Sequence, residues 1–145
     1  MTSLNFPDVN VWLALFWDGH EHAQIARNWF ERSPDDRYFF CRFTQMSVLR
    51  LLTTRQIMQA DVKSMTAAWK IFDRAFCDER IEFLLEPDGV EAAFRRYSKS
   101  GLASPKAWAA AYLAGFAETA GLRLVTFDRA FLSLPIKTLV LDNRL

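Results

Sequence analysis

The chain has 145 residues, 51% of them hydrophobic, with 18 Lys and Arg against 17 Asp and Glu for a formal net charge of +1. That length suits one globular domain over residues 1–145 and is too short for two, while 13 Phe, 5 Trp and 3 Tyr against 5 Gly and 5 Pro exclude a disordered or collagen-like chain. So balanced a charge also excludes a generally basic surface, and any nucleic-acid binding has to come from a local arrangement.

No run approaches the roughly 18 to 20 apolar residues that span a bilayer, and the N-terminus lacks the basic-then-apolar layout of a secretory signal, so the expected location is cytoplasmic with no membrane partner. Cys41 and Cys77 lie far apart in no Cys/His cluster, and both are expected as small buried hydrophobes.

In chain order, Leu4 to Pro7 reads as a buried strand that hands over at Asp8 to a helix from Val9 to Trp17. His20 to Arg32 is an amphipathic helix ended by the Ser33, Pro34, Asp35, Asp36 cluster. Tyr38 to Arg42 is a strand, and Thr44 is expected to cap a helix through Val48, Leu49, Leu51 and Leu52. The apolar spacing from Ala60 to Phe76 predicts the longest amphipathic helix. Ile81 to Leu85 is a strand, Pro87 to Tyr97 a helix, and Ser104 to Ala120 a helix that starts near Pro105 and stops at Gly121. Leu122 to Thr126 and Thr138 to Leu141 complete the strands. This alternation predicts a three-layer α/β/α sandwich around a central, mostly parallel sheet.

In such sheets functional groups gather at the carboxyl ends of strands. Asp8 in FPDVNVW and Asp128 in LVTFDRAF both fall there. Two carboxylates in one crevice repel unless a cation neutralises them, and hard oxygen ligands suit Mg²⁺ or Mn²⁺. The competing reading of each is a helix N-cap.

These motifs together resemble the PIN-domain ribonucleases, closest to the VapC toxins of type II toxin-antitoxin pairs. FPDVNVWLAL resembles the family's opening strand and first metal-binding Asp, Asp8, with Asn10 as its polar neighbour. TQMSVLRLL resembles the second motif, SPKAWAAAYLAGFA the late helix, and LVTFDRAF the closing motif with Thr126 and Asp128. The resemblance implies a PIN-like fold, Mg²⁺-dependent endoribonuclease activity with Mn²⁺ as a substitute, an RNA substrate, a homodimer and a VapB-like antitoxin as partner.

Two positions depart from the pattern. The Glu usual three residues after the Thr of the second motif falls on Ser47, although Gln45 is familiar from one branch of the toxins. The late helix usually reads W-x-D-A-Y-L-A, which puts Ala110 where the third acidic metal ligand is expected. Ala110 is either a natural loss or a deliberate Asp→Ala replacement of a lethal residue; the intact Trp108, Ala111, Tyr112, Leu113 and Ala114 around it favour the second. Through the resemblance, the expected catalytic set is Asp8, Asp128, Thr126 and Ser47, with metal at Asp8, Asp128 and position 110.

Asn10, Arg50 and Gln45 are the candidate substrate contacts, and Arg50 belongs with Lys106, Arg123, Arg129, Arg42 and Arg55 to a set of cations able to ring an acidic crevice. His20 and His22 flank Glu21 and read as a surface helix start. The alternative function is a PIN-like module that has lost catalysis and binds RNA or protein. A response-regulator-like domain would need an acidic pair near the N-terminus and a late strand-end Lys, and neither is evident.

Overall fold

The computed structural model describes residues 2–142. The elements run β1 (Leu4–Pro7), α1 (Val9–Phe16), α2 (Ala23–Arg32), β2 (Arg37–Phe40), α3 (Arg42–Leu52), α4 (Arg55–Met58), α5 (Met65–Ala75), β3 (Ile81–Phe83), α6 (Val90–Tyr97), α7 (Ala107–Ala120), β4 (Arg123–Thr126) and β5 (Thr138–Val140), with 3-10 turns at Gln59–Asp61 and Arg129–Ser133. The five strands form one sheet of order β3-β2-β1-β4-β5. Every pairing in it is parallel.

The chain steps outward from β1 through β2 to β3, then returns through α6 and α7 to β4 on the other side of β1. Crossovers between parallel strands are right-handed, so reversing the direction of travel moves the connecting helices to the opposite face. Two cores result. Trp12, Trp29, Tyr38, Phe40 and Phe72 pack on the face of α1 to α5, with the Trp12 ring stacked 3.8 Å from Phe40. Phe6, Val90, Leu113, Phe116 and Leu124 pack on the face of α6 and α7, with Phe6 stacked 4.9 Å from Phe116. Neighbouring strand residues serve opposite faces, as Leu124 and Val125 do. The result is the expected α/β/α sandwich, with its sheet wholly parallel.

Several local expectations need correction. Thr44 is not the cap of α3: Cys41 holds the N-cap position and Thr44 stands inside the helix, its hydroxyl accepting from the Cys41 N–H at 2.9 Å. The helix expected from Ala60 to Phe76 begins only at Met65, where Ser64 accepts from the Ala67 N–H at 3.1 Å, and Gln59 adopts a left-handed φ of 52° upstream. The 14-residue α7 is therefore the longest described helix. The helix expected from His20 starts at Ala23 with His22 as its N-cap. Cys41 is buried as expected, but Cys77 is exposed on the turn that follows α5. Among the described residues no helix is long and apolar enough to cross a membrane.

The amino ends of the central strands carry a polar pin. Buried Asn5 donates from Nδ2 to Asp36 Oδ2 at 3.0 Å and accepts at Oδ1 from the Arg123 Nε and Nη2 at 2.9 and 2.6 Å. Arg123 therefore stands at the opposite end of the sheet from Asp8 and Asp128, which removes it from the cations expected around the acidic crevice.

Candidate functional site

The reversal of strand order between β1 and β4 leaves a crevice beyond their carboxyl ends, the place where open parallel sheets bind ligands. Asp8 follows β1 and Asp128 lies two residues beyond β4, and both line an open cleft of about 310 Å³ together with Asn10, His20, Glu21, His22 and Phe127.

Asp8 is a helix cap and a crevice residue at once. Its Oδ1 accepts from the Val11 N–H at 3.1 Å, which starts α1, and its Oδ2 accepts from the Thr126 hydroxyl. Thr126 is fully buried, and its Oγ1 also accepts from the Asp128 N–H at 3.0 Å. One hydroxyl thus ties the two strand ends together. Asp128 caps the 3-10 turn through Oδ1, which accepts from the Ala130 N–H at 2.9 Å. Capping and crevice lining, alternatives in the sequence, coexist in the structure.

Burial pushes the Asp8 carboxyl above its ordinary value. The Thr126 hydroxyl and the Val11 and Asn10 N–H groups pull it down, and the charge of Asp128 adds to the rise. His20 is lowered by burial and by the neighbouring His22, against a smaller opposing effect of Glu21.

Ala110 reaches the same neighbourhood from the opposite layer. On α7 it shares with Asp128, Ala130, Phe131 and Leu134 a hollow of about 230 Å³, so Asp128 borders both this hollow and the cleft of Asp8. The α3 candidates lie elsewhere. Gln45 is buried and accepts from the Arg42 Nη1 at 2.6 Å, Ser47 is half-buried, and neither is among the residues that line the cleft. Arg50 borders a groove between α3 and α5. Arg129 lies 3.6 Å from Asp142.

The donor set suits a hard divalent cation in kind, since Asp8 and Asp128 face one cleft, but the cleft's third carboxylate, Glu21, is exposed and lies against His22 at 3.2 Å. Among the described residues no three His, Cys, Asp or Glu side chains gather as a metal cage, and position 110 offers only a methyl group.

Two features of the cleft went unassigned in the sequence. His20 and His22 do sit at a helix start, yet they also wall the cleft, against Phe127. Their only sequence signal was the His-x-His spacing. For Phe127 it was a place between two motif residues.

The PIN domain family model matches residues 6–137. Ribonuclease VapC41 of Mycobacterium tuberculosis is 41% identical over 129 residues, covering 86% of this chain and 88% of that protein. Ribonuclease VapC39 of the same organism is 28% identical over 124 residues, covering 85% and 87%. Among solved structures, VapBC2 from Rickettsia felis bound to a DNA fragment from its promoter matches with a TM-score of 0.70 at 12% identity over 96% of this chain and 99% of that one. Mycobacterium tuberculosis VapC20, a Sarcin-Ricin loop cleaving toxin, matches with a TM-score of 0.62 at 14% identity over 91% and 95%. At those identities the structures speak for the fold, while the sequence relatives and the family model speak for descent: the chain belongs to the PIN-domain family, within its VapC ribonuclease branch.

Proposed function

We propose that the chain is the toxin of a type II toxin-antitoxin pair, a cytoplasmic Mg²⁺- or Mn²⁺-dependent endoribonuclease that works as a homodimer and is attenuated as it stands by Ala110. The observation that carries this is the shared position of Asp128, which borders both the cleft of Asp8 and the hollow of Ala110. An acidic side chain at 110 would join the two carboxylates already there.

In this reading Asp8 and Asp128 hold the cation, which when bound supplies Lewis-acid neutralisation of the phosphodiester. Thr126 is a positioning residue: its hydroxyl holds the Asp8 carboxylate and the Asp128 backbone together in advance of substrate. Asn10, exposed at the cleft, contacts the RNA backbone. Gln45, Ser47 and Arg50 stand on α3 outside the cleft, so this reading gives them no contact with the phosphodiester at Asp8 and Asp128.

A VapB-like antitoxin is the proposed partner. Met46, Met65 and Trp69 are exposed along the groove between α3 and α5, an apolar track suited to an amphipathic segment. The second reading, an RNA- or protein-binding module without catalysis, draws support from the missing third carboxylate.

RNA cleavage by the chain and by Ala110→Asp, with Mg²⁺ or Mn²⁺ and with EDTA, separates the two. The expected outcome is a gain of roughly hundredfold or more for Ala110→Asp, equivalent to about 3 kcal/mol of barrier, sensitive to EDTA and abolished by adding Asp8→Ala. A folded Ala110→Asp protein that leaves total cellular RNA intact in both metals gives the ground to the binding module.

A further inference from the structure

We propose that His20, His22 and Phe127 form a nucleobase subsite, which stacks a base of single-stranded RNA beside the phosphodiester at Asp8 and Asp128. The inference rests on the ribonuclease reading above and specifies how such a substrate is gripped.

The three rings are a packed unit. Phe127 lies 4.7 Å from the His22 ring and 5.8 Å from the His20 ring, at interplanar angles of 39° and 28°, and the two imidazoles are 5.8 Å apart. All three are half-buried and border the cleft that holds both carboxylates. Phe127 immediately precedes Asp128, and the two side chains line the same cleft.

The supporting turn is held firmly. The His22 N–H donates to His20 Nδ1 at 3.0 Å, the His20 N–H donates to the Trp17 carbonyl at 3.1 Å, and the Trp17 indole N–H donates to Asp61 at 2.8 Å. A Cβ on Gly19 would come within 2.7 Å of the Trp17 indole, so the turn closes this tightly only around glycine.

The cleft's charge explains why stacking is the suitable grip. Asp8, Asp128 and Glu21 repel an anionic strand, and a net charge of +1 supplies no broad basic field against them. Contact between a base and an aromatic face needs no charge and accepts every base. It also requires an unpaired strand, because bases inside an RNA helix already stack on one another.

The test uses the full chain as it stands, with Mg²⁺, and a ten-nucleotide single-stranded RNA carrying the fluorescent base 2-aminopurine at its centre. Stacking is expected to quench the probe on binding. Phe127→Ala should weaken binding roughly tenfold to hundredfold, His22→Ala less, and Phe127→Tyr should preserve both affinity and quenching. Phe127→Leu keeps the apolar volume without the ring and stands in if circular dichroism shows that the alanine variant misfolds.

Failure of the chain to bind the probe, binding without quenching, or unchanged affinity in folded Phe127→Leu overturns the subsite. If Ala110→Asp cleaves RNA while any of these holds, the subsite alone falls. If quenching depends on Phe127 but Ala110→Asp cleaves nothing, the subsite stands and the nuclease reading falls.

Discussion

Asp8 uses one carboxylate both to start α1 and to wall the cleft, and the two uses impose opposite demands. The cap and the Thr126 hydroxyl favour the charged form, while burial and Asp128 disfavour it, and the second pair prevails because the carboxyl sits above its ordinary value of 3.8. A raised carboxyl binds its proton more tightly in the folded chain than in the unfolded one. Folding stability therefore falls as pH rises through 3.8 to the folded-state value and stays at the lower level above it. Asp8→Asn removes that dependence while keeping an oxygen for the Val11 N–H. With EDTA present, the melting temperature of Asp8→Asn should exceed the parent's at pH 7 and the gap should close near pH 3; a gap independent of pH removes the desolvation account. The meeting of Asp8 and Asp128 in one cleft was legible in the sequence because both follow strands of a parallel sheet, whose carboxyl ends share one edge. His20, His22 and Phe127 were not, since only the folded turn brings the two histidines to a residue near the other end of the chain.

Gly115 shows what helical pattern alone leaves out. In sequence it is a weak point inside α7, but a Cβ there would lie 2.8 Å from the Phe94 backbone nitrogen and 3.2 Å from the Ala93 carbonyl carbon. The glycine is what lets α6 and α7 touch backbone to backbone. Gly115→Ala would gain about 1 kcal/mol in helix propensity against about 1 to 3 kcal/mol of overpacking. Backbone atoms cannot turn aside as a side chain could, so we expect a net loss of about 1 kcal/mol. A lower urea midpoint at unchanged slope would register it, and a stabilised variant would show that α6 can shift freely. The five strands were legible because short apolar runs bounded by polar residues need no partner to be recognised. The start of α5 was not, because half-buried Val62 packs against the core from outside the helix and carries the apolar spacing past the break at Ser64.

The order of the strands determines which parts of the chain can share a ligand. Asp8 and Asp128 come from β1 and β4, neighbours across the point where the chain reverses direction, and position 110 comes from the helical layer that this reversal placed on the opposite face. A cation held by all three would fasten that layer to the strand ends, so metal affinity and folding stability become one quantity. Without metal, a third carboxylate beside Asp128 adds only repulsion and desolvation, and in EDTA Ala110→Asp should melt below the parent. A ligand that binds only the folded form adds about 2.7 kcal/mol at a hundredfold excess over its dissociation constant, which for a chain of this size is roughly 5 to 10 °C. Titrating Mg²⁺ should therefore raise the Ala110→Asp melting temperature past the parent's while moving the parent far less. Parallel curves for the two proteins would mean that position 110 takes no part in holding the cation, whatever either protein does to RNA.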